Sequence, residues 1–285
     1  MSGAFARELD VATRAAIEAG AAAMRHYGTA SATRKAGGSP VTEADHAANE
    51  VLLRRLAEAF PADGLLSEES NDSARRLGAR RVWIIDPLDG TKEFLAQNGE
   101  FAIMVGLAVD GRAVAGVVYL PAEAVLLRAA EGAGAWQRGQ ETAGDGGPWR
   151  RLAPHPAAPP LRLVGSRSHA DPFLERLADR LGTGDVRPSG SVGVKCSLIA
   201  RGERDLYVHP VSHLNEWDTC APEIVLREAG GTVLDCLGSE LRYNKEQTVQ
   251  PHGILACGPG AEHAIPVVTR LYEERTAGAA ENGKR

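Results

Sequence analysis

The chain has 285 residues, 44% hydrophobic and 24% charged, the profile of a globular protein with room for one large domain or two ordinary ones. Its formal charge of −5 argues against a broad basic surface for nucleic acid polymers, and no apolar run approaches the length of a membrane span. Four cysteines at 196, 220, 236 and 257 share no CxxC spacing, and residues 1–10 lack a basic start followed by an apolar run, so a reduced, cytoplasmic protein is expected.

Residues 4–27 are rich in alanine, with Phe5, Leu9, Ala12, Ala16, Ile17, Ala19 and Ala23 spaced mostly at three and four, which predicts an amphipathic helix ending at Gly28. A polar loop over 29–38 leads to a second helix over 43–60, with Ala48, Leu52, Leu56 and Ala59 on one face and Pro61 and Gly64 as its stop. Strands are expected over 64–67 and 82–85, then a pair over 101–109 and 112–119 joined by Asp110-Gly111, a strong hairpin signal. A strand over 124–129 extends that antiparallel sheet. The loop over 139–160, rich in Gly, Pro and Arg, divides an N-terminal half, 1–150, from a C-terminal half, 151–275. The second half alternates: strand 161–165, helix 172–181, strand 185–187, helix 192–200, strand 205–208, helix 218–229, strands 232–235 and 253–257, helix 261–274. Residues 276–285 read as a disordered tail. Such an order predicts a mixed α/β fold of layered sheets and helices.

Asp86-Pro87-Leu88-Asp89-Gly90-Thr91 follows the apolar strand Val82-Trp83-Ile84-Ile85 and joins two carboxylates, a fixed turn and a glycine. Pro87 holds φ at about −65° and donates no N–H, which lets the Leu88 carbonyl turn toward whatever Asp86 and Asp89 bind. Gly90 admits an anion close to the backbone, and a helix opening at Thr91 would direct its first N–H groups at that anion. Hard oxygen ligands suit Mg²⁺, and the chemistry suggested is hydrolysis of a phosphate ester. The same six residues also make a good surface turn, and both readings stand on this stretch alone.

Other carboxylates bear on that choice. Asp45, three residues after Thr42, has the spacing of a capping box, and it also lies where a helix start can face a site. Glu68 and Glu69, in Ser67-Glu68-Glu69-Ser70, follow a strand, as solvated loop residues or as groups reaching into a cleft. Asp218 follows Trp217 and reads as an N-cap or as a further ligand. Together Asp86, Asp89, Glu68 and Asp218, with Asp45 nearby, supply enough oxygen ligands for two or three Mg²⁺ ions.

The set Val41-Thr42-Glu43-Ala44-Asp45, Ser67-Glu68-Glu69-Ser70, Trp83-Ile84-Ile85-Asp86-Pro87-Leu88-Asp89-Gly90-Thr91 and Glu216-Trp217-Asp218 closely resembles the inositol monophosphatase superfamily of lithium-sensitive, magnesium-dependent phosphatases. Order and spacing agree from about residue 4 to about residue 274. The resemblance implies an αβαβα layered sandwich, the type shared with fructose-1,6-bisphosphatase. It implies that Glu68, Asp86 and the Leu88 carbonyl hold a first metal and that Asp86, Asp89 and Asp218 hold a second. Gly90 and Thr91 would face the phosphate, and Thr91 and Asp45, with Glu68, would serve the attacking water.

Within the superfamily, Lys92-Glu93-Phe94, Ser166-Arg167-Ser168-His169, Ser189-Gly190-Ser191 with Lys195, and Leu241-Arg242-Tyr243-Asn244 look like the CysQ type of 3'(2'),5'-bisphosphate nucleotidase. These enzymes remove the 3'-phosphate of adenosine 3',5'-bisphosphate, a by-product of sulfate activation. A second phosphate needs its own donors, for which Ser166, Arg167, His169, Ser191 and Lys195 are candidates. Arg167 and His169 as plain surface residues, and Lys195 as a solvated helix position, are the alternatives. The glutamate that contacts inositol in inositol monophosphatases is matched here by His209, which lowers that reading. The expected partner is a small phosphorylated nucleotide, with no nucleic acid polymer or membrane, on a monomer or homodimer. An inositol or sugar phosphatase, and a non-catalytic binding protein of the same fold, are the rivals.

Overall fold

The computed structural model describes residues 3–34, 40–72, 74–139, 147–167 and 171–282. In chain order the elements are α1 (Ala6–Met24), β1 (Thr33–Arg34), β2 (Pro40–Val41), α2 (Glu43–Ala59), β3 (Gly64–Ser67), β4 (Arg81–Asp89), α3 (Thr91–Leu95), β5 (Ala102–Val109), β6 (Arg112–Leu120) and β7 (Val125–Ala130). They continue with β8 (Gly134–Gly139), β9 (Arg150–Arg151), β10 (Leu163–Ser166), α4 (Pro172–Leu181), β11 (Val186–Ser189), α5 (Val192–Ala200) and β12 (Leu206–His209). The chain closes with α6 (Glu216–Glu228), β13 (Thr232–Leu234), β14 (Ile254–Cys257) and α7 (Ile265–Asn282).

Five layers result. Seven strands form one sheet in the order β3-β4-β5-β6-β7-β8-β9, with β3 parallel to β4 and the rest antiparallel; five form a second in the order β11-β10-β12-β14-β13. Helices α1 and α2 cover one face of the first sheet through Leu9, Ala16, Leu52 and Leu56, packed on Trp83, Ile85 and Val105. Its other face meets α5 and α6 through Leu198, Ala221 and Ile224, and these helices fill the space up to the second sheet. Helices α4 and α7 close the far side with Phe173, Leu177, Val268 and Leu271. The order αβαβα is the one the resemblance implies, and it buries both sheets on both faces.

Most expected elements form, because they were legible from local period and punctuation. The hairpin turn is an example: Asp110 and Gly111 hold φ of 50° and 75°, both positive as a two-residue type I′ turn requires. The differences are informative. Strand β8, unassigned in the sequence, adds to the sheet over 134–139, where its Gly-rich start hid the pattern. The expected tail continues helix α7 from Thr276 to Asn282 instead of fraying, and residues 283–285 lie outside the described residues.

Strand β4 also runs four residues further than expected, to Asp89. Asp86 pairs with Met104 and Asp89 with Ala102, so two residues, Pro87 and Leu88, face one on β5. That bulge is how a proline is admitted here, since the extra residue needs no ladder hydrogen bond. Both halves of the chain contribute to the middle core, where α5 and α6 pack on the first sheet. No helix is long and apolar enough to cross a membrane among the described residues.

Candidate active site

Three carboxylates converge where β4 ends and α6 begins. One oxygen each from Asp86, Asp89 and Asp218 lies within 4.8 Å of the other two. Asp86 and Asp89 are buried and Asp218 is half-buried. Each is oriented by a donor: Asp86 Oδ1 accepts the Leu88 N–H at 3.0 Å, Asp89 Oδ2 accepts the Gly193 N–H at 2.7 Å, and Asp218 Oδ2 accepts the Asn215 N–H at 2.6 Å. The helix thus starts at Glu216 after Asn215, and Asp218 closes its first turn rather than serving as N-cap.

Crowding acts on their protonation. Burial, then repulsion from Glu68, Asp89 and Asp218, pushes the Asp86 carboxyl well above the usual range; burial, then Asp89 and Glu68, does the same to Asp218. Burial raises Asp89 also, opposed by the Ser191 hydroxyl and the Gly193 N–H. Glu68 is not one of the tight three. It stands directly after β3, half-buried, with its N–H on the Ile85 carbonyl at 3.2 Å, near enough that its charge is felt by Asp86 and Asp218. Asn49 of α2 holds its loop, accepting from Ser67 at 2.7 Å and donating to Ser70 at 3.0 Å.

Beside the carboxylates lies a second constellation. Asp45 uses Oδ2 on the Thr42 N–H (2.8 Å) and hydroxyl (2.7 Å), so the capping box exists, while Oδ1 accepts the Thr91 hydroxyl at 3.0 Å. One side chain thus closes the capping box and receives the Thr91 hydroxyl. Thr91 opens α3 after Gly90, whose φ of 98° lies in the left-handed region. A Cβ there would come 2.9 Å from the Glu100 carbonyl, so only glycine fits both the angle and the space.

Several substrate candidates have other partners. Ser191 donates its hydroxyl to Asp89 Oδ2 and accepts from the Val194 N–H at 3.1 Å, so it positions a carboxylate and caps α5. Lys195 is a buried cation 3% exposed, not a solvated one; Nζ donates to the Gly190 carbonyl at 3.1 Å and sits 5.0 Å from the Tyr207 ring centroid. Burial lowers its pKa, against the attraction of Asp89. Arg167 donates to both oxygens of Glu100 at 2.8 and 3.1 Å, and Glu100 Oε2 also takes the Gly190 N–H at 2.7 Å. Ser166 ends β10 half-buried, His209 ends β12, and His169 lies outside the described residues.

Glu100 carries no local signal in the sequence, and Glu216 and Asn244 are marked there only by their places in Glu216-Trp217-Asp218 and Leu241-Arg242-Tyr243-Asn244. A separate cavity of about 680 Å³, lined by Arg151, His155, Arg162, Arg201 and Asp205 among others, shares no residue with the cluster, and its one carboxylate is committed to Arg162. The arrangement around Asp86 combines crowded hard-oxygen donors, a hydroxyl bound to a buried carboxylate and a backbone opening at Gly90. These are the parts that metal-assisted hydrolysis of a phosphate ester requires.

Comparison with known proteins agrees. The model for the inositol monophosphatase family matches residues 6–275. The 3'(2'),5'-bisphosphate nucleotidase CysQ of Escherichia coli (strain K12) is 38% identical over 244 residues, covering 84% of this chain and 95% of that protein. A fructose-1,6-bisphosphatase/inositol-1-monophosphatase of Thermotoga maritima is 29% identical over 272 residues, covering 93% and 97%. The crystal structure of CysQ from Bacteroides thetaiotaomicron superimposes with a TM-score of 0.75 at 33% identity, covering 90% of this chain and 98% of that one.

Proposed function

The chain belongs to the inositol monophosphatase family, and from that premise we propose that it is a magnesium-dependent, lithium-sensitive phosphomonoesterase that removes the 3'-phosphate of adenosine 3',5'-bisphosphate, leaving AMP and inorganic phosphate. The observation that carries the reaction class is the cluster of Asp86, Asp89 and Asp218 beside the hydrogen bond from Thr91 to Asp45. The choice of substrate is supported by the 38% identity to a CysQ nucleotidase.

The residues fit a hard divalent cation. Three carboxylates pressed together and pushed toward protonation need a positive charge at their centre, and an all-oxygen donor set suits Mg²⁺ over softer metals. Asp86, Asp89, Asp218, Glu68 and the Leu88 carbonyl would hold two or three such ions. Bound there, the metal supplies a Lewis acid for the phosphoryl and leaving oxygens and makes water nucleophilic near neutral pH.

The chain's own groups do the rest. Thr91 donates its proton to Asp45 and so turns its hydroxyl oxygen toward a water proton, which passes through the hydroxyl to the Asp45 carboxylate. Gly90 lets the phosphate lie against the backbone at the start of α3. Ser191 and the Gly193 N–H hold Asp89 in one rotamer, and buried Lys195 offsets part of the negative charge. Arg167, oriented by Glu100, would meet the second phosphate, with Ser166 next to it in the chain as a further donor. A cytoplasmic location is supported by four buried, unpaired cysteines.

Steady-state rates with Mg²⁺ on adenosine 3',5'-bisphosphate, inositol 1-phosphate and fructose 1,6-bisphosphate test the assignment. The nucleotide is expected to give the highest kcat/KM, and Li⁺ to inhibit. A higher value for either of the others moves the chain to the inositol or sugar phosphatase reading, which the Thermotoga maritima relative favours. No turnover on any of them returns the non-catalytic reading.

A further inference from the structure

Two segments outside the reacting constellation meet at Asn244. It holds φ at 58°, in the left-handed region, and its side chain is used at both ends. Oδ1 accepts from Arg76 Nη1 at 2.9 Å, while Nδ2 donates to the carbonyls of Arg76 at 2.9 Å and Ala79 at 3.3 Å. Its backbone N–H donates to Glu216 Oε2 at 2.6 Å, and the next N–H, of Lys245, to Glu216 Oε1 at 2.8 Å. Arg76, 2% exposed, is closed on its other edge by Asp72, with both contacts at 2.6 Å. Glu216 has no exposure at all.

The places of these residues in the fold give the contacts their meaning. Arg76 and Ala79 lie on the connection that leaves Glu68 and enters β4, the strand of Asp86 and Asp89. Glu216 opens α6, two residues ahead of Asp218. Through its middle α6 meets the first sheet with apolar side chains such as Cys220, Ala221 and Ile224, whose packing is not directional. Its hydrogen bonds to that sheet, from Arg227 to the Ala113 carbonyl and from the Gly134 N–H to Glu228, lie at the far end, away from Asp218. Hydrogen bonds from a left-handed residue are directional, and they fix both the height and the rotation of the helix start. A buried carboxylate and guanidinium are also costly to keep for stability alone, because apolar replacements of similar volume serve that end as well. Ligands must be held within about 0.5 Å of working geometry.

We propose that Asn244, with Arg76 and Glu216, is a positioning residue for the metal-holding carboxylates, setting Asp218 against Asp86, Asp89 and Glu68. The inference rests on the phosphatase reading above. It assigns a role to the Leu241-Arg242-Tyr243-Asn244 stretch, which the reaction itself does not use.

Asn244→Gly tests it. Glycine keeps the left-handed backbone and the N–H to Glu216 and removes only the three side-chain hydrogen bonds. Mn²⁺ binding followed by electron paramagnetic resonance without substrate is the direct readout, beside kcat and KM at saturating Mg²⁺. The Mn²⁺ Kd is expected to rise about tenfold, the Mg²⁺ concentration for half-maximal rate to rise with it, and the nucleotide KM at saturating Mg²⁺ to hold. A folded Asn244→Gly with the original Mn²⁺ Kd overturns the inference. Should that variant not fold, Arg76→Lys decides between the same two results. An unmodified protein that binds no Mn²⁺ overturns the metal reading itself, and the inference with it.

Discussion

Thr91 Oγ1 donates to Asp45 Oδ1 across 3.0 Å, joining the first turns of α2 and α3. Because the other Asp45 oxygen is held by Thr42, that carboxylate stays turned toward Thr91. Thr91→Ala should therefore lower kcat by about 10²- to 10⁴-fold with KM nearly unchanged, and Thr91→Ser should restore most of it. Single-turnover and steady-state rates at saturating Mg²⁺ check this; a Thr91→Ala enzyme within a few-fold of the original would remove the proton route.

Metal removal has a definite sign. The folded carboxyls of Asp86, Asp89 and Asp218 lie above their unfolded values, by burial first in all three, and by repulsion from neighbouring carboxylates next in Asp86 and Asp218. A raised carboxyl contributes stability that is complete below its unfolded pKa of about 3.9 and is lost as pH rises through the folded value. The melting temperature in chelator is thus expected to fall as pH rises above about 4, and Mg²⁺ to remove that slope. Asp89→Asn should flatten the metal-free slope and lose most of the Mg²⁺ increment. A flat profile in chelator contradicts the crowded-carboxylate account.

Gly90→Ala meets two obstacles, the 98° φ and the Glu100 carbonyl 2.9 Å from the new methyl. A loss of about 1–3 kcal/mol in urea unfolding is expected, with a fall in kcat as α3 shifts. An unchanged unfolding midpoint would show that the turn relaxes at little cost.

Glu100→Gln keeps an acceptor for the Gly190 N–H and gives up the charge that orients Arg167. KM for adenosine 3',5'-bisphosphate should rise about tenfold, the scale of one charge-assisted hydrogen bond, while a substrate with one phosphate, 4-nitrophenyl phosphate, should be little affected. Equal losses on both substrates would mean that Glu100 shapes the site in general and that Arg167 does not read the second phosphate.

The sequence was readable where structure is local. Thr42 and Asp45, three apart, could be paired as a cap, and Asp110-Gly111 as a turn, because neighbours along the chain make both. The bulge at Pro87 was not readable, since it depends on which residues of β5 lie opposite. Ser191 and Lys195 were read as substrate donors because a hydroxyl and an ammonium at a helix start suit that role. Only the fold shows Ser191 spent on Asp89, 102 positions away, and Lys195 sealed from water.

By itself, the sequence determined the layered α/β class and the residues able to form a carboxylate site, since periodicity, caps and motif spacing are properties of nearby residues. Tertiary structure alone decided which of those groups meet and what holds them. Asp218 joins Asp86 and Asp89 from the other half of the chain, Glu100 claims Arg167, and Asn244 ties Arg76, 168 positions before it, to Glu216. Such partnerships are chosen by the packing of helices between two sheets, and no local pattern encodes the direction from which a partner will come.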